Sequence, residues 1–137
     1  MRPIKFRAWD KKANRMVFGC CNLVLSLDGY LQFEYGGHIK DINVNDNYEL
    51  MQFTGLKDKN GKEIYEGDII RYMDGKNMEV FYSTKGCYVG WHLRRKPNHG
   101  RMGMVIYGLY DHSKYPNAHE EVIGNVHENP ELLEEKK

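Results

Sequence analysis

Long apolar runs are missing from this 137-residue chain. No stretch approaches the roughly 20 residues that a membrane-crossing helix needs. The amino terminus, MRPIKFRAWDKK, has no apolar core segment and does not read as a secretory signal. Cysteine is scarce: Cys20, Cys21 and Cys87, with no CxxC pair. An odd count with two adjacent members is a poor disulfide framework, and adjacent cysteines would close a strained ring. Free thiols in a reducing cytoplasm are the expectation, with no membrane association. Excess charge of one sign is also lacking. Lys+Arg total 20 against Asp+Glu 19, for a net charge of +1. The whole-protein electrostatic footprint of a nucleic-acid binder is therefore absent, which leaves room only for a local basic patch.

The catalytic short motifs are missing too. There is no GxSxG, P-loop, GxGxxG or HExxH. The histidines His38, His92, His99, His112, His119 and His127 neither pair at i,i+4 on a helix nor flank a cysteine at zinc spacing. Nucleophilic catalysis and nucleotide hydrolysis have no sequence support, and no metal or cofactor is expected. No linker rich in Pro and Ser, no internal repeat and no low-complexity tract divides the chain.

What is present is tyrosine, at 10, and glycine, at 14. That balance favours strands and tight turns over helices. The stretch Tyr48–Tyr72 shows the pattern best. Leu50, Met51 and Phe53 form a short apolar run that Gly55 is expected to break. Asn60-Gly61, flanked by Lys57, Asp58, Lys59, Lys62 and Glu63, reads as a type I′ hairpin turn, because both residues tolerate positive φ. Glu66-Gly67-Asp68 follows and leads into Ile69-Ile70-Arg71-Tyr72. Paired acids invite a catalytic or metal reading. The bend reading accounts for both residues, since Asp accepts hydrogen bonds from nearby backbone N–H groups in turns.

Before this stretch, Ile4, Phe6 and Ala8 alternate with Lys5, Arg7 and Trp9 as a strand. Asp10–Asn14 turns the chain back into Arg15–Phe18. Leu23, Leu25 and Leu27 alternate, Asp28-Gly29 reads as a turn, and Tyr30–Tyr35 completes a second hairpin. The polar segment His38–Asn47 resembles a calcium loop in composition. Asn43 and Asn45 are weak ligands and the central Gly is missing, so it reads as a connecting loop. After it, Asp74-Gly75 is another turn. Strands are expected at Glu79–Tyr82, Cys87–Trp91, Met104–Leu109 and Val122–Val126. Asn129-Pro130 then starts one or two helical turns over Glu131–Lys136, with Asn129 as the cap and Leu132 and Leu133 docking the piece. Two packed subdomains are expected, residues 1–47 and 48–137.

Three pieces together carry a family resemblance: Ile4–Asp10, Tyr48–Tyr72, and Val122–Val126 with Glu128–Leu133. In order and spacing the chain resembles the YopX family of small phage and prophage proteins. The resemblance implies a mainly β protein whose later part is a C-terminal SH3-like small β-barrel, and the hairpins read above make the first part an N-terminal β-hairpin subdomain packed on it. It implies no catalytic residue to carry over.

The segment Leu93–Gly103 stands out as an irregular basic loop. Arg94, Arg95, Lys96 and Arg101 lie beside Trp91, with Tyr88, Tyr107 and Tyr110 nearby. Cations that track phosphates beside rings that stack on bases make a single-stranded nucleic-acid surface. The plainer reading is a solvated loop between barrel strands whose rings are core. His112 and His119, with Asp111, Glu120 and Glu121, suggest an acid–base or metal loop, which a surface loop explains equally. The function expected is a cytoplasmic, non-catalytic binding module that engages a phage or host protein or another copy of itself. The alternative is a nucleic-acid-binding accessory protein built on the 94–101 loop.

Overall fold

A computed structural model describes residues 4–18, 23–25, 31–35, 38–42, 48–72, 74–84, 89–95, 106–108 and 120–134. The protein is mainly β, and the strand registers are antiparallel. The chain divides into two compact units, Met1–Phe53 and Thr54–Lys137.

In the first unit, β1 (Phe6–Asp10) is flanked by β2 (Arg15–Phe18) and by the first half of β6 (Tyr48–Lys57). Cross-strand partners include Ala8 with Val17 and with Leu50. Being central, β1 buries both faces: Arg7, Ala8, Trp9 and Asp10 are all buried. The Asp10–Arg15 turn is held by Asp10 Oδ1, which accepts from the Lys12 and Ala13 backbone N–H groups at 3.0 and 2.9 Å. A second sheet places β4 (Leu31–Tyr35) between β3 (Leu23–Leu25) and β5 (His38–Ile42). Here the sequence expectation needs correction, because His38–Ile42 is a strand and not part of a connecting loop. Its polar residues hid it. Among the described residues β5 has a neighbour on one side only, and such edges accept polar residues that a central strand would reject.

In the second unit, β7 (Glu63–Tyr65) neighbours the second half of β6. The larger sheet has the order β11-β10-β9-β8-β12, using β8 (Asp68–Arg71), β9 (Asn77–Ser83), β10 (Gly90–Arg94), β11 (Ile106–Gly108) and β12 (Glu121–Asn125). Four successive strands form a meander, and the last returns to lie beside the first. Ile64, Ile70, Met78, Val80, Leu93 and Val122 make the buried core, with Leu56, Tyr72 and Trp91 packed against it.

Gly55 does not break its strand. It takes φ +86° inside the ten-residue β6. The neighbouring Thr54 hydroxyl bridges the irregularity: it donates to the Ile64 carbonyl at 2.8 Å and accepts from the Leu56 N–H at 3.1 Å. The Asn60-Gly61 turn is not type I′ either, since only Gly61 has positive φ. Gly61 N–H donates to the Asp58 carbonyl and Asp58 N–H to the Lys62 carbonyl. That is a three-residue loop ending on a left-handed glycine, the next commonest way to close a hairpin.

The C-terminal piece is a single 3₁₀ turn, Pro130–Leu133, with Leu133 buried. Asn129 makes no side-chain cap, contrary to expectation. Its side chain instead fills the space beside Gly124, where an added Cβ would lie 2.5 Å from Asn129 Oδ1. The register between β12 and β8 shifts between Val122 and Gly124. The bulge and the missing side chain together make room for Asn129.

Candidate interaction surface

Strand alternation decides how the expected basic-aromatic site is distributed. Leu93 and Arg94 are not loop residues. They end β10, paired to Val80 and Glu79 on β9. Successive side chains on a strand point to opposite faces. Trp91 therefore shares a face with Leu93, and Arg94 lies on the other with His92. The structure separates the ring from the first cation of the expected constellation. Arg95 is half-buried. Lys96 and Arg101 lie outside the described residues, as do His112, His119, Cys20, Cys21 and Cys87.

Arg94 is engaged within the fold. Its Nε and Nη2 donate to the two Glu79 carboxylate oxygens at 2.9 and 2.8 Å. Its guanidinium stands over the Phe81 ring, 4.8 Å from the centroid. The Glu79 hydrogen bond, partly opposed by desolvation, holds the Arg94 pKa above its ordinary value. A phosphate at Arg94 would have to displace a forked carboxylate, whose net worth at this exposure is about 1 kcal/mol.

On the other face, Trp91 packs against the core, and its indole Nε1 is buried without a hydrogen-bond partner among the described residues. Tyr82, directly across from Trp91, stands edge-on to it with ring centroids 5.0 Å apart and planes at 75°. Tyr82 is 47% exposed, and nearby Val89 is 62% exposed. The outer end of β9–β10 thus presents one large aromatic set against a half-buried ring that itself packs on the core. Sequence reasoning chose Trp91 as the displayed ring and passed over Tyr82. The available signal was the register, which alternation alone could not supply.

Of the two acids read as a possible catalytic or metal pair, Glu66 and Asp68, the second serves the backbone, as do other polar side chains of the same unit. Asp68 Oδ2 accepts from Tyr65 N–H at 2.8 Å across the bend, and Asp68 is buried. Asp58, also buried, accepts from Asn60 and Lys62 N–H through Oδ1, both at 2.9 Å, and from Val122 N–H through Oδ2 at 3.0 Å. Asn125 Oδ1 accepts from His127 and Glu128 N–H at 3.0 and 2.9 Å. In the first unit, the Ala13 N–H, joined by Lys12 N–H, Arg15 and Tyr48, holds the Asp10 carboxyl below the usual range against the effect of desolvation. Burial, then the Asp10 charge, pushes the Tyr48 hydroxyl up. Among the described residues, no group of three or more His, Cys, Asp or Glu side chains is placed to hold a metal ion. No described helix is long and apolar enough to cross a membrane.

These features can be set beside known proteins. A crystal structure of a protein from Enterococcus faecalis is 27% identical, with a TM-score of 0.52, over 98% of this chain and 100% of that one. A crystal structure of protein YopX from Bacillus subtilis is 24% identical, with a TM-score of 0.57, over 100% of both chains. A search of curated proteins finds no match. The family described as YopX protein matches residues 5–134, a span that covers nearly all of both units and, but for Ile4, the segments read above as its motifs. On that match the chain belongs to the YopX family.

Proposed function

We propose that the protein is a non-enzymatic interaction module that docks a protein partner at the outer end of β9–β10. The observation that carries this reading is the Tyr82–Trp91 pair: an exposed tyrosine braced edge-on at 5.0 Å by a ring packed on the core. Interfaces gather most of their binding energy on a few such anchors, and tyrosine and tryptophan are the commonest of them. A braced ring also loses little side-chain freedom on binding. The polar side chains of the family motif support the reading indirectly, because Asp58, Asp68 and Asn125 are committed to backbone N–H groups and serve the scaffold. The last strand of the larger sheet lies beside its first. That connectivity accords with the SH3-like barrel which the family resemblance implies for the later part of the chain. The same resemblance suggests a phage or prophage gene product acting in the bacterial cytoplasm.

The test is affinity capture of the tagged protein from phage-infected host lysate, with and without nuclease, using wild type and Tyr82→Ser. The reading expects specific proteins that survive nuclease and are lost with Tyr82→Ser. Capture that vanishes with nuclease and persists in Tyr82→Ser would overturn it in favour of a nucleic-acid partner. Because log affinity for phosphates falls linearly with log salt, a salt titration separates the two readings again.

A further inference from the structure

The single Asn-Gly pair of the chain, Asn60-Gly61, has a chemistry that neither the turn nor the proposed function uses. We infer that Asn60 is a site of spontaneous covalent modification, its side-chain amide converted to a carboxylate through a cyclic imide formed with Gly61. In the first step the Gly61 backbone nitrogen attacks Asn60 Cγ. The new N–Cγ bond forms as the Cγ–Nδ2 bond breaks, and the Gly61 proton leaves with the amide nitrogen as ammonia. Water then adds to one or other imide carbonyl and yields aspartate or isoaspartate. No oxidant or reductant takes part.

Access favours the reaction here. Asn60 and Gly61 are both exposed, and nothing lies within 4 Å of the place a Gly61 Cβ would take. One bond opposes the reaction: Gly61 N–H donates to the Asp58 carbonyl at 3.0 Å. Attack requires that bond to open, which is a local fluctuation of a surface turn and does not need global unfolding.

The product bears on what the turn is attached to. Asn60 Nδ2 donates to Glu121 Oε1 at 3.4 Å, and Lys59 Nζ lies 3.1 Å from Glu121 Oε2. Conversion replaces that donor with a second carboxylate facing Glu121, so an attraction becomes a repulsion. The isoaspartate form also lengthens the backbone by one atom inside the loop. This carries Lys62 N–H away from Asp58 Oδ1 and disturbs the carboxylate whose other oxygen holds Val122 N–H. A surface reaction at Asn60 thereby loosens the hold on β12.

The experiment is peptide mapping by mass spectrometry of the full-length protein after incubation at neutral and at alkaline pH. It is paired with hydrogen exchange at the Val122 amide in wild type and Asn60→Asp. The expected result is that Asn60 converts before every other asparagine, faster at alkaline pH, and that Val122 exchanges several-fold faster in Asn60→Asp. Conversion of another asparagine ahead of Asn60, or Asn60 intact for as long as the rest, overturns the assignment of the site. Unchanged Val122 exchange both in Asn60→Asp and in the protein converted at alkaline pH overturns its consequence.

Discussion

Two hairpin loops of the second unit share one backbone frame and differ in what they reach. Residues 58–62 join β6 to β7, and residues 72–76 join β8 to β9. In each, the first residue's N–H donates to the fifth residue's carbonyl at 2.8 Å. In each, the glycine at the fourth place donates to the first carbonyl, at 3.0 Å for Gly61 and 2.9 Å for Gly75. The two glycines take φ +80° and +78°. The loops part at the first position. Asp58 sends a carboxylate oxygen 64 residues along the chain to Val122 N–H. Tyr72 packs its ring on the core. Local chemistry closes the turn, and a single side chain at its start decides whether the turn also organises distant structure.

Breaking that difference at its strongest point means Asp58→Ala. Three backbone donors lose their acceptor at once, and one of those hydrogen bonds lies in the interior. The expected loss is about 3 kcal/mol, because charge-assisted hydrogen bonds to buried donors are the expensive ones to remove. Denaturant unfolding measures it, and a loss below about 1 kcal/mol, the ordinary worth of one neutral hydrogen bond, would show that the connection to β12 is idle.

The shared frame is tested by Gly61→Ala and Gly75→Ala. Neither glycine has an atom within 4 Å of an added Cβ, so each substitution carries only the left-handed backbone cost. Each is expected to destabilise by about 1 kcal/mol, and by equal amounts. A clear inequality in thermal midpoints would mean that the two loops are not equivalent after all.

The smallest effect belongs to Asp74→Asn. Asp74 accepts from Lys76 N–H at 3.0 Å in an exposed, purely local contact. That bond, against some desolvation and with help from the Lys76 ammonium, holds its carboxyl below the usual range. A carboxyl lowered in the folded state stabilises above its unfolded pKa, and that contribution fades as pH falls through the folded value. Wild type should therefore exceed Asp74→Asn slightly at neutral pH, and the gap should close in acid. A gap that widens on acidification would reverse the sign of the argument.

Many strand positions, and the turns at Asp10–Asn14, Glu66–Asp68 and Asp74-Gly75, were readable because they follow from apolar alternation and from turn residues. What escaped was set by partners distant in sequence. Gly55 reads as a stop until Thr54 is seen to donate to the Ile64 carbonyl and to accept from the Leu56 N–H. His38–Ile42 reads as loop because its partner, β4, is what makes it a strand. Arg94 reads as a free cation because Glu79 lies 15 residues earlier, across a hairpin whose register a composition cannot reveal. Of the candidate surface only Trp91 was singled out in the sequence, as part of a site expected around the 94–101 loop that follows the other end of β10. Which of two aromatics is displayed depends on how the sheet meets its core.

The close fit of Asn129 against Gly124 has a consequence for descent within the family. Because an added Cβ at 124 would fall 2.5 Å from Asn129 Oδ1, the two positions cannot vary freely. A lineage that gains a side chain at 124 is expected to re-orient or shorten the residue at 129. Across many relatives the pair should be inherited as one character, with glycine at the first position wherever asparagine stands at the second.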